Sequence, residues 1–502
     1  TVWFGFRVEF HAVTSNTGPH EPMHSNNGVQ VSYVQMGTTY YVYPNDDYYW
    51  IVYVDNGSSY SYASQSNLSG STHRWYSNAP PSGTISSSTS ITGYYYEQYN
   101  ITVNAQKGNG AGCTDTLPTS SLHYSYYSFG TQYSNGNYGS ATWIDNGSEV
   151  QALDYSVSST QRWACDPNDN SVTVTSGNTI TFTYYHQWLV DFKIIIKSPD
   201  GAEPTGGVTV HYTQFGSGKS QGATTTGFSD WVDCGGSYYY DNPSHLVSQT
   251  ERWYSSSTNV SGTITSSASI SPFYYHQYWV TIKFTIGNDN HCSHSTAIPV
   301  TWEYMGSTNN SYAYTSDTQT WVDAGSEVIF TNPYVITANA ERWFSADNAS
   351  GGNVEYTISS AQTCNPTYWH QWYITAETAG GYLDSTYNTT LHYNQTGTTL
   401  TTNIYDSSPW QGWVDCGSQL SVDSPVSGPT SPRSVSYVCD FPLVYVTTNG
   451  TYTFLFHAEF PADVKINGGS QGDKFGYAVD GSIVINGTVS VVIGAPGNNT
   501  IY

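Results

Sequence analysis

The chain repeats itself. An aromatic residue followed by valine or isoleucine and then aspartate stands at Tyr53-Val54-Asp55, Trp143-Ile144-Asp145, Trp231-Val232-Asp233, Trp321-Val322-Asp323 and Trp413-Val414-Asp415, with successive aspartates 88 to 92 residues apart. Arg74-Trp75, Arg162-Trp163, Arg252-Trp253 and Arg342-Trp343 follow the first four aspartates by 17 to 19 residues. A third mark closes each of these periods: Tyr95-Tyr96-Glu97-Gln98, Tyr184-Tyr185-His186-Gln187, Tyr274-Tyr275-His276-Gln277 and Tyr368-Trp369-His370-Gln371. A fixed period of this size means one structural unit copied in tandem. In the fifth unit Arg433-Ser434 replaces Arg-Trp and no Tyr-Tyr-His-Gln follows.

Cutting the chain at these clusters gives repeats at 1–96, 97–186, 187–276 and 277–370, a divergent fifth at 371–440 and a C-terminal β region at 441–502. Charged residues make up 10% of the chain and aromatic residues 16%, so there is ample apolar surface to bury and disorder is excluded. Nearly every segment alternates with period two, which predicts an all-β chain. Six or seven short strands per unit, with turn signals every 8 to 12 residues, predict a linear tandem array of Ig-like β-sandwich domains. The last strand of one unit passes through His-Gln into the first strand of the next, leaving essentially no linker, so a stiff rod is expected. Beyond residue 441 the segments Tyr452 to Phe456, Asp463 to Ile466, Ser482 to Ile485 and Val489 to Ile493 read as strands.

With 13 basic against 37 acidic residues and a net charge of −24, the chain lacks the basic footprint that nucleic acid requires. It has no apolar run of about 18 residues, so no membrane span is expected. It begins at Thr1 without Met, as expected of a processed product or a fragment. The seven cysteines form no C-x-x-C and read as structural disulfides. Counting strand reversals puts Cys113 and Cys165 at the far end of the second unit, Cys292 and Cys364 at the far end of the fourth, and Cys416 with Cys439 in the fifth. Cys234 is left over, either buried and inert or cross-linking chains.

The recurring Trp-Val-Asp-x-Gly-Ser, Glu-Arg-Trp and Tyr-Tyr-His-Gln-Tyr steps resemble the tandem Ig-like repeats of archaeal extracellular and cell-envelope proteins, over residues 1–376 and partly in the fifth unit. The resemblance implies a surface location and a structural or adhesive, non-enzymatic role.

The residues themselves offer little chemistry. His186-Gln187, His276-Gln277 and His370-Gln371, with Glu97-Gln98 in the first unit, would be metal ligands or general bases only if further ligands travelled with them. The alternative is a domain-junction hydrogen-bond set that also involves Tyr95, satisfying backbone groups where one strand hands over to the next. Arg-Trp reads as a guanidinium stacked on an aromatic face or paired with the repeated aspartate. Gly218-Lys219-Ser220-Gln221-Gly222 matches a nucleophile elbow, but no helix follows it. Both His291-Cys292-Ser293-His294 and Asp166-Pro167-Asn168-Asp169-Asn170 are weak metal candidates, the second for calcium, although turn formation explains it equally well. No other cofactor is expected. N-linked glycans are expected on N-x-S/T acceptors at Asn56, Asn67, Asn100, Asn146, Asn259, Asn309, Asn348, Asn388, Asn394, Asn449, Asn486 and Asn498.

The expected function is a non-enzymatic subunit of an extracellular filament, pilus or thread-like, or of a surface coat, assembling head to tail with copies of itself. The N-terminal strand, with Val2, Phe4, Phe6, Val8 and Phe10, is a candidate to complete a neighbour's sheet, or else simply its own unit's. The alternative function is an adhesin or carbohydrate-binding array in which the aromatic residues form sugar-stacking platforms.

Overall fold

The computed structural model describes residues 2, 4–16, 28–110, 112–247, 249–287, 297–348, 350–431 and 434–459. These form two compact units, residues 1–197 with 202–245 and 253–274, and residues 198–201 with 246–252 and 275 onward. Among the described residues, apart from one 3-10 turn at Thr258–Val260, the regular structure is all strand.

The period seen in the sequence is a period of sheets. Each repeat contains one four-stranded sheet of the same order: Thr38–Val42, Val31–Gln35, Ser59–Tyr62 and Ser82–Thr84 in the first, and Ser217–Ala223, Val208–Gln214, Ser237–Tyr240 and Ser261–Thr263 in the third. Alternation explains the second layer. In Gly5–Thr14, for example, Val8, Phe10 and Ala12 point inward and are fully buried, while the residues between them face out. Five separate apolar cores result, one per repeat.

Single strands run through the repeat boundaries. Thr89–Lys107 pairs with Gly5–Thr14 over its first residues and with Ala141–Asp145 over Gln98 to Thr102, so it closes the first sandwich and opens the second. Ile180–Phe192 and Thr367–Ala379 do the same at the second and fourth boundaries, and Phe273–Ile282 carries the third. The second repeat holds seven further strands between its two boundary strands, more than the sequence predicts, because the Arg-Trp segment forms a hairpin of its own.

One expectation changes. The fifth core does not stop at residue 440: it takes in Val446, Phe454 and Phe456. Gly450–Glu459 lies parallel to Thr367–Ala379, the place that Ile180–Phe192 takes beside Thr89–Lys107. The other tail segments, from Asp463 to Ile493, lie outside the described residues.

The N-terminal strand takes one of the two places expected of it. It completes its own repeat, antiparallel to Trp50–Asp55 and parallel to Thr89–Lys107. Val8 and Phe10 belong to the first core, Phe6 packs on its margin, and only Val2 and Phe4 are exposed. Phe10 lies within 6 Å of the rings of Tyr33, Tyr60 and Tyr62. Phe10→Ala should therefore cost the first repeat about 3–5 kcal/mol in the unassembled chain, read as faster hydrogen exchange in residues 31–62. Unchanged exchange would mean that the strand is not held there.

Candidate functional site

The site that recurs is the boundary itself, and its centre is the repeated aspartate. Five two-residue hairpin turns, Met36-Gly37, Phe129-Gly130, Phe215-Gly216, Met305-Gly306 and Thr396-Gly397, have positive φ at both residues. Glycine adopts this conformation freely, whereas bulky residues resist it. In each turn the aspartate carboxylate accepts both N–H groups, as in Phe215 N to Asp233 Oδ1 at 3.0 Å and Gly216 N to Oδ2 at 2.7 Å. Asp55, Asp145, Asp323 and Asp415 hold their turns in the same way.

At four boundaries a fully buried glutamine joins this aspartate to an arginine. Gln98 Nε2 donates to Asp145 at 2.8 Å, Gln187 to Asp233 at 2.9 Å, Gln277 to Asp323 at 2.8 Å and Gln371 to Asp415 at 2.9 Å. Each amide oxygen accepts from the Nε of Arg74, Arg162, Arg252 or Arg342 at 2.9 Å. The guanidinium lies 4.2–4.6 Å over the tryptophan that precedes the aspartate by two residues, Trp143, Trp231, Trp321 or Trp413. Both alternatives read from Arg-Trp thus hold in altered form: the cation stacks, and it reaches the aspartate through an amide. Burial pushes Asp233 and Asp415 up, against the pull of the turn amides, and pushes Arg342 down to about 10.

A carboxylate–imidazole pair flanks the amide. Glu251 lies 3.0 Å from His276 and Glu341 2.9 Å from His370; at the first boundary the types are exchanged, with His73 2.7 Å from Glu97. His276 also meets Asp200 at 2.5 Å, and Gln161 takes the carboxylate's place beside His186 at 2.8 Å. The imidazoles thus pair with side chains, where the sequence suggested backbone groups. Tyr95 is buried, and its hydroxyl donates to the Ala63 carbonyl. The turns were missed in the sequence, although an X-Gly pair recurs 16 to 19 residues before every aspartate.

The cysteine pairing differs from expectation. Cys113 is bonded to Cys234, while Cys165, Cys364 and Cys439 are free and buried. Burial pushes the Cys165 thiol up to about 11 and Cys364 to about 12, so they act as inert core residues. Cys416 is disulfide-bonded, and Cys292 lies outside the described residues, as does the whole His291–His294 motif. Strand counting failed because it paired cysteines only within a repeat. The loop at the far end of the second repeat meets the start of the third, so the Cys113–Cys234 bond crosses a boundary.

The acceptor asparagines divide by exposure. Asn56, Asn67, Asn259 and Asn449 are exposed, and Asn100, Asn309, Asn348, Asn388 and Asn394 are partly so. Asn146 is buried, and its amide donates to Glu97 at 2.7 Å, so it is a boundary residue and not a glycan site. Asn486 and Asn498 lie outside the described residues. Asp166–Asn170 forms an Asx turn, with Asp166 Oδ1 accepting from Asn168 N at 2.9 Å. Gly218–Gly222 lies within a hairpin strand with no helix after it.

No family model matches the chain, and no curated protein sequence matches it. Solved structures that align with it include the Bacillus anthracis TIE protein, at 7% identity and a TM-score of 0.23 over 91% of this chain and 75% of that one. A streptococcal ancillary pilin aligns at 9% identity and a TM-score of 0.18, over 54% of this chain and 98% of its own. Two B repeat units of the collagen binding protein of Staphylococcus aureus align at 12% and 0.14, over 80% and 100%. Alignments at these scores assign the chain no function.

Two measurements test the boundary chemistry. Gln187→Leu leaves Asp233 and Arg162 without their shared amide, at about 1–3 kcal/mol for each group left unpaired, and the Phe215 and Gly216 amides should exchange faster. The second concerns pH. Burial pushes His370 below its ordinary value of 6.5, so the unfolded ring takes up a proton that the folded ring refuses. Its contribution is complete above that pH and is lost as pH falls through 6.5 toward the folded value, by at most about 1.4 kcal/mol per pH unit. Melting scans of His370→Gln should show a shallower loss on acidification than the parent chain.

Proposed function

We propose that the chain is a structural subunit of an extracellular filament, built of Ig-like repeats of the archaeal surface type and assembling end to end with copies of itself. The observation that carries this reading is the first repeat, which presents half a boundary. Asn56 N donates to the Phe4 carbonyl at 3.0 Å, as Asn146, Cys234, Ala324 and Cys416 do to Glu97, His186, His276 and His370. The register is therefore that of the other boundaries. Yet Gly5 stands opposite Asp55, where the others have glutamine, and glycine cannot supply the amide. Tyr53, the counterpart of the stacked tryptophans, is 58% exposed, and Met36 in the turn is 63% exposed.

Trp50–Asp55 pairs on one side only among the described strands and carries exposed Trp50, Ile51 and Tyr53. An apolar edge of this kind invites a partner. A second copy docking on this face leaves Gly5–Thr14 in its own sheet. The Cys113–Cys234 bond supports an oxidising, extracellular setting.

A second reading rests on the same repeat. Tyr40, Tyr41, Tyr48, Tyr49 and Trp50 are exposed together in one repeat, as an adhesin's sugar-stacking surface would be.

Electron microscopy of the full chain beside a Met36→Ser, Tyr53→Ser double variant separates these. Fibres from the parent and single molecules from the variant are expected. Fibres from both would remove this face from assembly, and single molecules from both, with saturable oligosaccharide binding by the parent, would favour the adhesin.

A further inference from the structure

The Cys113–Cys234 bond does not lie among inert neighbours. His186 Nδ1 is 3.5 Å from Cys113 Sγ and 2.8 Å from Asp115 Oδ2. That same carboxylate oxygen is 3.9 Å from Cys113 Sγ and 3.8 Å from Cys234 Sγ. All four ligand atoms lie within 4.8 Å of one another. Both cysteines and the histidine are buried, and Asp115 is half-exposed at the mouth of the cluster. Two thiolates, one imidazole and one carboxylate are a zinc-binding set, with bonds of about 2.3 Å to sulfur and about 2.0 Å to nitrogen and oxygen. Tetrahedral geometry with such bonds puts ligand atoms about 3.3–3.8 Å apart, close to the 3.5, 3.9 and 3.8 Å from sulfur to nitrogen or oxygen. Forming it requires the sulfurs to part and Nδ1 and Oδ2 to move apart by about half an ångström.

We propose that, once this disulfide is reduced, Cys113, Cys234, His186 and Asp115 form a zinc site, so that the second and third repeats have two alternative closures, one covalent and one metallic.

The surroundings are arranged to hold it. Trp163 stacks on the His186 ring at 4.8 Å, and Gln161 lies 2.8 Å from Nε2. Turning the Gln161 oxygen to the ring lets Nε2–H donate to it and leaves Nδ1 free for the metal, the outer-shell support that metal-bound histidines use. Asn109 donates to the carbonyls of His186 at 3.0 Å and Cys234 at 3.2 Å, and the Lys107 ammonium donates to the Asp115 carbonyl at 2.8 Å. The loop is thus fixed by contacts that do not depend on the sulfur–sulfur bond. At the third boundary Ala324 takes the place of Cys234, while at the fourth Cys416 keeps it.

The chemistry balances with an external reductant. A water-soluble phosphine attacks one sulfur, the sulfur–sulfur bond breaks, and water delivers its oxygen to phosphorus and its two protons to the thiolates. The phosphine leaves as its oxide, and zinc(II) then displaces the two thiol protons to solvent.

The test uses the full chain, reduced with the phosphine without oxygen and then dialysed against zinc(II) or cobalt(II). Elemental analysis should find one more equivalent of metal in the parent than in a Cys113→Ser, Cys234→Ser chain, and the cobalt form should show the intense visible bands of tetrahedral thiolate ligation. Asp115→Ala, a half-exposed position that does not threaten folding, should weaken metal binding at least tenfold. Equal metal content in the reduced parent and the double-serine chain overturns the site. Undiminished affinity in Asp115→Ala overturns the four-ligand arrangement.

Discussion

Each boundary between two repeats depends on one carboxylate that accepts three N–H groups at once. Two come from a hairpin turn whose first residue has a conformation that bulky side chains avoid, and at four boundaries the third comes from a buried glutamine. Remove the carboxylate, and the turn amides and the glutamine lose their acceptor together. The aromatic contacts depend on it in turn: Phe129, held in its turn by Asp145, packs on Tyr76 and Tyr96 of the preceding repeat. Phe215 meets Tyr185 in the same way.

This explains how a chain with so few charges uses them. An arginine and an aspartate placed together without water would suffer a desolvation penalty that their attraction does not always offset. Inserting an amide lets both charges form hydrogen bonds in fixed directions, and the flat guanidinium also covers a tryptophan face, which a lysine ammonium could not match. The flanking pair shows the same economy of type. His73 and Glu97 exchange the roles of Glu341 and His370, so the pairing is kept while its polarity is reversed.

Much of this was legible in the sequence, because motifs copied four or five times mark equivalent positions without any structure. The all-β class, the tandem sandwiches and the boundary role of His-Gln follow from residues 53–55, 74–75 and 95–98 and their copies. What was hidden depends on three-dimensional adjacency. Asn56 and Asn146 occupy the same turn in sequence, yet Glu97 and Asn16 close over Asn146. The segment at 450–459 lacks the Tyr-Tyr-His-Gln signature, so only its pairing with Thr367–Ala379 assigns it to the fifth repeat. Cysteine partners are set by which loop ends meet, which strand counting within one repeat does not see.

The Cys113–Cys234 bond also decides how the second and third repeats would respond to being pulled. The two cysteines are 121 residues apart in sequence, and that span contains most of the second repeat and the opening strands of the third. Tension along the backbone that reached Cys113 would pass directly across the sulfurs to Cys234. The enclosed segment would bear no load even if its sheets were disrupted, withholding roughly 400 Å of extended chain. Reduction would release that length, making the redox state of this sulfur pair a control on how far the second and third repeats stretch.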